Sequence, residues 1–336
     1  MNIINLSDLR TDWFWLKDEF KRKHEGLGQS WFHYSSANSS LAPWLPKRDS
    51  AARAAAAFQA IKHARMSPAV LISHGPRPAM YGGMAAGICG RRIPHLVFSF
   101  NFTDLPIGAQ RRLMMTAFKQ PIKFVCYSKM ERYLYADYFN IPLESIDMIH
   151  WSVHAPRTQS IGPPIVAGDY ICAIGSQARD YATIFSVIRR LKHIKLVLVT
   201  TENAIQGLSV PENVVVYSGI PIEIAQNILA HSRFMVLPLL NGGVPCGHVT
   251  LVSGMFLGKG IICTNSKGIL DYIQDEQTGI LVEPKNVDAW IDRISMLWAD
   301  ETRADMLGQQ ALSFAQKYCT EKVATDYFSK FLNDYC

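Results

Sequence analysis

Short, continuously apolar runs recur along the chain with amphipathic stretches between them. In the first half these runs are IINL at 3–6, AVLIS at 69–73, HLVFSF at 95–100, IKFVCYS at 122–128 and IDMI at 146–149. Helical periodicity is clearest at 50–65 and 129–139. Apolar strands separated by helices predict a parallel sheet covered on both faces. A break follows at 155–168, APRTQSIGPPIVAG, where Pro163-Pro164 can continue neither a helix nor a strand. The rhythm then restarts with strands at 170–175, 195–200, 213–218, 234–240 and 260–264, and helices at 181–191, 222–232 and 251–259. The pattern predicts a first α/β domain over 1–155, a hinge over 156–168, and a second α/β domain over 169–316. A closing helix over 317–336 is expected to pack back on the first domain. Two such domains face each other across a cleft, with ligands outside the carboxyl ends of the strands.

Composition supports two packed cores: of 336 residues 49% are hydrophobic and only 18% charged, which excludes a disordered chain. No apolar run reaches the ~18 residues of a membrane span, and the N-terminus lacks a basic-then-apolar leader. A cytoplasmic location is expected. None of the seven cysteines forms a CxxC pair, which argues against a disulfide framework or a zinc site and for buried, reduced thiols. Charge is unevenly distributed. Residues 1–160 carry 20 Lys+Arg against 11 Asp+Glu, and residues 161–336 carry 14 against 17. The basic front half points to an anionic partner.

Chemistry concentrates at strand ends. After the strand ending at Gly175, the turn GSQARDY places Ser176 and Arg179 at a helix start. Free N–H groups and a guanidinium can receive a phosphate there, and Asp180 fits a helix-start position. The alternative is an ordinary turn with a surface Arg–Asp pair. Residues 241–250, NGGVPCGHVT, put Gly243, Gly247, His248 and Val249 before a helix for which Thr250 is a good N-cap. Their backbone N–H groups could converge on a diphosphate, with His248 adding a donor or merely packing. There is no GxxxxGK[ST] and no GxGxxG after the first strand, which removes support for P-loop or nicotinamide chemistry. In the front half His74 and Gly75 follow a strand, and Asn101 and Asp104 lie in the same layer. Ser128 with Glu131 reads as a capping box. Trp13, Phe14 and Trp15 beside Lys17, Lys21, Arg22 and Lys23 read either as a headgroup-docking segment or as an amphipathic helix on the first sheet. The basic-aromatic stripe is too short for nucleic acid.

The run from Phe234 to Trp290 resembles the donor-binding region of GT-B glycosyltransferases, especially glycosyltransferase family 4. Pro238, Gly247, Met255, Gly258, Lys259, Gly268, Gly279, Leu281, Val282 and Pro284 fall in step with that family's pattern. Upstream, AIGSQARDYATIFSVIRRL is similar to its phosphate-binding turn, with Arg179 near the usual lysine. Tyr217 to Ile220 resembles the nucleobase turn, and FVCYSKMERYLYADYF resembles the close of the acceptor domain. The family's two glutamates, eight residues apart, map to Pro245 and Ser253, and Ser176 stands near its usual arginine. Gly-His-x-Thr variants of this kind resemble bacterial exopolysaccharide and lipopolysaccharide transferases.

The resemblance implies a GT-B fold, two Rossmann-like parallel-sheet domains, and sugar transfer from a UDP- or GDP-linked donor with retention and without a metal or other cofactor. It implies donor contacts at Gly175, Ser176, Arg179, Gly219, Ile220, Gly243, Gly247, His248, Val249, Thr250 and Ser253. His74, Arg179 and His248 would carry the chemistry, with Asn101 and Asp104 on the acceptor side. The acceptor would be a saccharide or a polyprenyl-diphosphate-linked one at the inner membrane face, with no nucleic acid involved. Rival readings are an inverting transferase with Asp104 as base, a nucleotide-sugar epimerase, and a non-catalytic nucleotide- or sugar-binding subunit.

Overall fold

The computed structural model describes residues 1–10, 14–23, 28–38, 48–90, 93–152, 156, 161–240 and 245–335. The elements run β1 (Asn2–Ser7), α1 (Phe14–Lys23), β2 (Ser30–Ser35), α2 (Arg48–Ala64), β3 (Ala69–His74), α3 (Pro76–Cys89), β4 (His95–Phe98), α4 (Gly108–Ala117), β5 (Lys123–Cys126), α5 (Lys129–Phe139) and β6 (Ile146–Met148). They continue as β7 (Ile171–Ile174), α6 (Tyr181–Arg190), β8 (Leu196–Val199), β9 (Val214–Tyr217), α7 (Ile222–Ala230), β10 (Met235–Leu237), α8 (His248–Phe256), β11 (Ile261–Thr264), β12 (Ile280–Val282), α9 (Val287–Ala299), α10 (Glu301–Tyr318) and α11 (Glu321–Tyr335). The chain divides into two units, Met1–Ile149 with Glu321–Cys336, and His150–Thr320.

Unit 1 is built on a six-stranded sheet ordered β2-β1-β3-β4-β5-β6, all pairs parallel. Central strands such as AVLISH and HLVF are buried along nearly their whole length because helices cover both faces. Leu16 and Phe20 of α1 face inward and meet Phe328 of α11, with Phe20 and Phe328 rings 5.3 Å apart. Lys21, Arg22 and Lys23 lie exposed, so the described part of α1 is an amphipathic helix docked on α11. Trp13 lies outside the described residues.

Two elements of unit 1 run against the sequence pattern. β2, SWFHYS, is an edge strand buried only partway along its length, so it lacks a continuous apolar run. α3, where the sequence pattern assigned no element, contains Gly82 and Gly83. They are needed because the helix is packed closely: a Cβ on Gly83 would lie 2.3 Å from the Ala117 carbonyl oxygen. The strand expected over 95–100 ends at Phe98, because Ser99 turns to φ +53° and places its Oγ 2.8 Å from the Tyr127 hydroxyl.

Unit 2 has a second parallel six-stranded sheet ordered β12-β11-β10-β7-β8-β9. The division from unit 1 falls ahead of the Pro-rich stretch. His150 Nε2 donates to the Asp271 carbonyl at 2.9 Å, and the Trp151 N–H donates to the Tyr272 hydroxyl at 2.8 Å, so both already belong to unit 2. Ile165 N–H is held by Asn227 in the same unit. Of the stretch 156–168, residues 157–160 lie outside the described residues. Among the described cysteines none is in a disulfide, and Cys126, Cys172, Cys263 and Cys319 are buried.

Candidate functional site

In parallel sheets all strands deliver their carboxyl ends to one edge, so the turns after β7, β8, β9, β10 and β11 collect there. The turn after β7 opens at Gly175 with φ +116° and passes Ala178 at φ +52°. Residues 178–180 then pair with the segment leaving β10: Leu240 N–H donates to the Ala178 carbonyl at 3.0 Å, and Asp180 N–H to the Pro238 carbonyl at 3.2 Å. Asp180 caps α6 by accepting from Thr183 N–H at 3.1 Å. This pairing joins two segments separated by some sixty residues and fixes Arg179 between them.

The Arg179 guanidinium is anchored on three sides. Nε donates to the Ile174 carbonyl at 3.3 Å, Nη1 to the Gln177 carbonyl at 2.8 Å, and Nη2 to Thr250 Oγ1 at 3.0 Å. A Cβ on Gly175 would sit 2.5 Å from Nη2, so glycine is required both for φ and for room. Burial lowers the pKa of this guanidinium, yet an arginine remains charged at neutral pH. The Gly175 carbonyl is tied down by the hydroxyls of Thr200, at 2.8 Å, and Tyr181. Ser176 is exposed, and its Oγ accepts from Thr201 N–H at 3.0 Å.

Helix α8 begins at His248, with Gly247 rather than Thr250 as N-cap. The early entry is possible because Gly247 adopts φ +93°. A Cβ there would also press to 3.0 Å on Leu239. Thr250 thus falls in the first helical turn, where its hydroxyl is free of capping duty and receives Arg179. The first-turn N–H groups, from His248 to Thr250, have no partners within the helix by geometry. Gly243 lies outside the described residues.

His248 is turned inward. It is buried, its Nε2 donates to the Gly268 carbonyl at 2.9 Å, and its ring lies 5.0 Å from that of Tyr272. Burial lowers its pKa, so the ring is neutral at pH 7. Val249, by contrast, is exposed. Pro245 packs over Gly268, where a Cβ would lie 2.3 Å from the proline Cβ, and Ser253 Oγ donates to the Val249 carbonyl one turn back. Neither supplies a carboxylate. Gly219, at φ +67°, and the half-buried Ile220 follow β9, which is separated from β7 by β8.

In unit 1 the structure brings His74, Asn101 and Asp104 together around one pocket of about 550 Å³, with Asp8 and Arg77 also on its wall. His74 ends β3 beside Phe98, on which its ring stacks at 6.4 Å. Burial, reinforced by His33, pushes its pKa down to about 3, so it can form hydrogen bonds but carries no charge at pH 7. Ser128 caps α5, accepting from Glu131 N–H at 3.2 Å, while the Glu131 carboxylate takes Tyr127 N–H at 2.9 Å. Asp8 and Arg77 were not legible as site residues. The signal available was their place close behind β1 and β3: Asp8 directly follows β1, and Arg77 lies in the first turn of α3, three residues past His74.

Residues 171–300, inside unit 2, match the family model for glycosyl transferases group 1. No curated protein sequence matches the chain. Among solved structures the chain is similar to a glycosyltransferase from Rickettsia africae ESF-5, with TM-score 0.72 and 14% identity over 99% of this chain and 97% of that one. It is similar also to a sucrose-phosphate synthase from Thermosynechococcus elongatus, with TM-score 0.71 and 12% identity over 99% and 98%. A third is Anabaena Alr3699/HepE in complex with UDP-glucose, with TM-score 0.71 and 12% identity over 99% and 100%. The two parallel sheets and these likenesses give the GT-B fold.

Proposed function

We propose, for a chain of GT-B fold whose second unit carries a glycosyl transferases group 1 domain, that it moves a sugar from a nucleoside-diphosphate donor to a hydroxyl-bearing acceptor. The observation that supports this most is the anchored Arg179 guanidinium beside Gly175 and the first turn of α8. In the reaction the bond between the sugar C1 and the diphosphate oxygen breaks, a bond from C1 to the acceptor oxygen forms, and the acceptor hydroxyl passes its proton to the departing diphosphate. Negative charge grows on the departing diphosphate. A fixed guanidinium and unpaired helix N–H groups stabilise that charge without reorganising, so this reading requires no metal ion. Ser176, Val249 and Thr250 line this diphosphate site, and Gly219 with Ile220 lie at the nucleobase.

His248 acts in this reading by holding the 266–269 turn against α8, not by touching the leaving group. On unit 1 the acceptor occupies the pocket of His74, Asn101 and Asp104, with neutral His74 as a hydrogen-bond partner for a sugar hydroxyl. Transfer proceeds with retention, as the family resemblance implies. The exposed Asp104 in the same pocket favours the second reading, an inverting transferase with Asp104 as base. The role suggested by the resemblance is synthesis of bacterial surface polysaccharide at the cytoplasmic membrane face. No described helix is long and apolar enough to cross a membrane.

The deciding experiment is a thermal-shift screen of UDP-, GDP- and ADP-sugars, followed by anomeric analysis of the product. A ligand that binds the folded state raises its melting temperature. Stabilisation by one nucleotide sugar that is lost in Arg179→Ala is the expected result. No stabilisation by any of them removes the donor assignment, conversion of the donor without acceptor indicates an epimerase, and binding without turnover indicates a binding subunit.

A further inference from the structure

Beside the His74 pocket of unit 1 lie two more cavities, of about 780 and 290 Å³. They share walls. Arg77 borders both the 550 and the 780 Å³ cavity, Arg48 and Arg53 border both the 780 and the 290 Å³ cavity, and Asp8 closes the circuit between the 290 and 550 Å³ cavities. The result is one furrow along the carboxyl edge of the first sheet, with arginines supplied by three separate segments: Arg10 after β1, Arg48 and Arg53 on α2, and Arg77 on α3.

Among the described residues, charge in the two flanking cavities is unbalanced: four guanidiniums face two carboxylates, those of Asp8 and Asp49. One carboxylate is already committed, because Arg53 Nε meets both oxygens of Asp8, at 3.0 and 2.9 Å, and Ser36 Oγ donates to the same group at 2.7 Å. Asp8 thereby orients Arg53 while its own charge is cancelled. Arg10 and Arg77 are exposed. Guanidiniums gathered in a concave site favour an anion among them, and their planar forks match phosphate oxygens with paired hydrogen bonds.

We infer that this furrow binds a phosphate ester or diphosphate carried by the acceptor, which places the acceptor hydroxyl in the adjoining His74 pocket. The inference rests on the transferase reading and narrows its acceptor to an anionic class. Both a sugar phosphate and a lipid diphosphate present this chemistry, and the test separates them.

The full chain, saturated with whichever of UDP, GDP or ADP binds so that the donor site is filled, is titrated calorimetrically with inorganic pyrophosphate, glucose 1-phosphate and geranyl diphosphate. Pyrophosphate is expected to bind, and Arg77→Ala and Arg48→Ala each to weaken that binding about tenfold while nucleotide affinity is unchanged. Tighter binding of geranyl diphosphate assigns the anion to a lipid carrier, and tighter binding of glucose 1-phosphate to a soluble sugar phosphate. Absence of pyrophosphate binding, or binding indifferent to both substitutions, overturns the inference. Should none of UDP, GDP and ADP bind, the transferase reading fails by itself, and the same titrations without nucleotide still decide the furrow.

Discussion

Arg179 and Thr250, 71 residues apart in the chain, are joined by a 3.0 Å hydrogen bond from Nη2 to Oγ1. The bond ties the turn after β7 to the first turn of α8 and sets the direction of the guanidinium. Thr250→Val keeps the shape and removes the acceptor. It is expected to weaken nucleotide-sugar binding about three- to tenfold, the net worth of one ordinary hydrogen bond, because the guanidinium keeps its other two anchors. Arg179→Ala should weaken it by more than tenfold. The check is a Kd by calorimetry for each variant and for the pair, since coupled residues will show less than additive losses.

Gly175→Ala tests the space beneath that guanidinium. The methyl group meets a backbone at φ +116° and Arg179 Nη2 at 2.5 Å, so the arginine must move. Strain of about 1–3 kcal/mol is expected, together with a raised donor KM. Thermal denaturation and steady-state kinetics measured on the same preparation separate the two effects.

His248→Ala should act on stability rather than on donor contact. It removes a buried ring and leaves the Gly268 carbonyl without its donor, a loss of about 2–4 kcal/mol. Well below the lowered melting temperature, donor affinity is expected to stay within about twofold of wild type. A selective fall in kcat with unchanged unfolding would return His248 to the leaving group.

Glu131 makes stability depend on pH in an unusual direction. Burial raises its carboxyl from 4.5 to about 7, outweighing the hydrogen bonds from Tyr127, Tyr135 and Ser128. Between these values the folded state binds more protons than the unfolded one, so this contribution is full below pH 4.5 and is lost as pH rises to about 7. His74 and His95, both pushed to about 3 by burial, act oppositely and add stability as pH rises toward 6.5. The stability difference between wild type and Glu131→Gln isolates the carboxyl. It should fall across pH 4.5–7 by up to about 1.4 kcal/mol per unit and be flat above. Urea denaturation at several pH values reads it directly.

Strands buried on both faces, such as VLISH and LVLV, announce themselves as apolar runs, and α5 is legible to the residue because Ser128 and Glu131 form its cap locally. Elements whose character is set by distant partners are not legible. The reason Gly83 sits inside a helix lies with distant Ala117, and Thr250 looks like a cap until Gly247 takes that place. Gly175, Arg179 and Thr250 could each be picked out as phosphate-binding candidates. Their junction depends on the pairing of 178–180 with 238–240, which has no local signature. The arginine furrow is hidden for the same reason, since three separate segments build it.

Helix α11 has a consequence for synthesis. Phe328, Phe331 and Ala324 fill the same core as Ile3, Phe20 and Phe98, so the sheet of unit 1 must wait for residues 321–335 to emerge from the ribosome. The intervening 150–320 segment can fold on the nascent chain before its neighbour is finished. Premature termination near residue 320 would therefore leave an open apolar seam on the amino-terminal lobe, a target for chaperones and proteases, while sparing the other lobe.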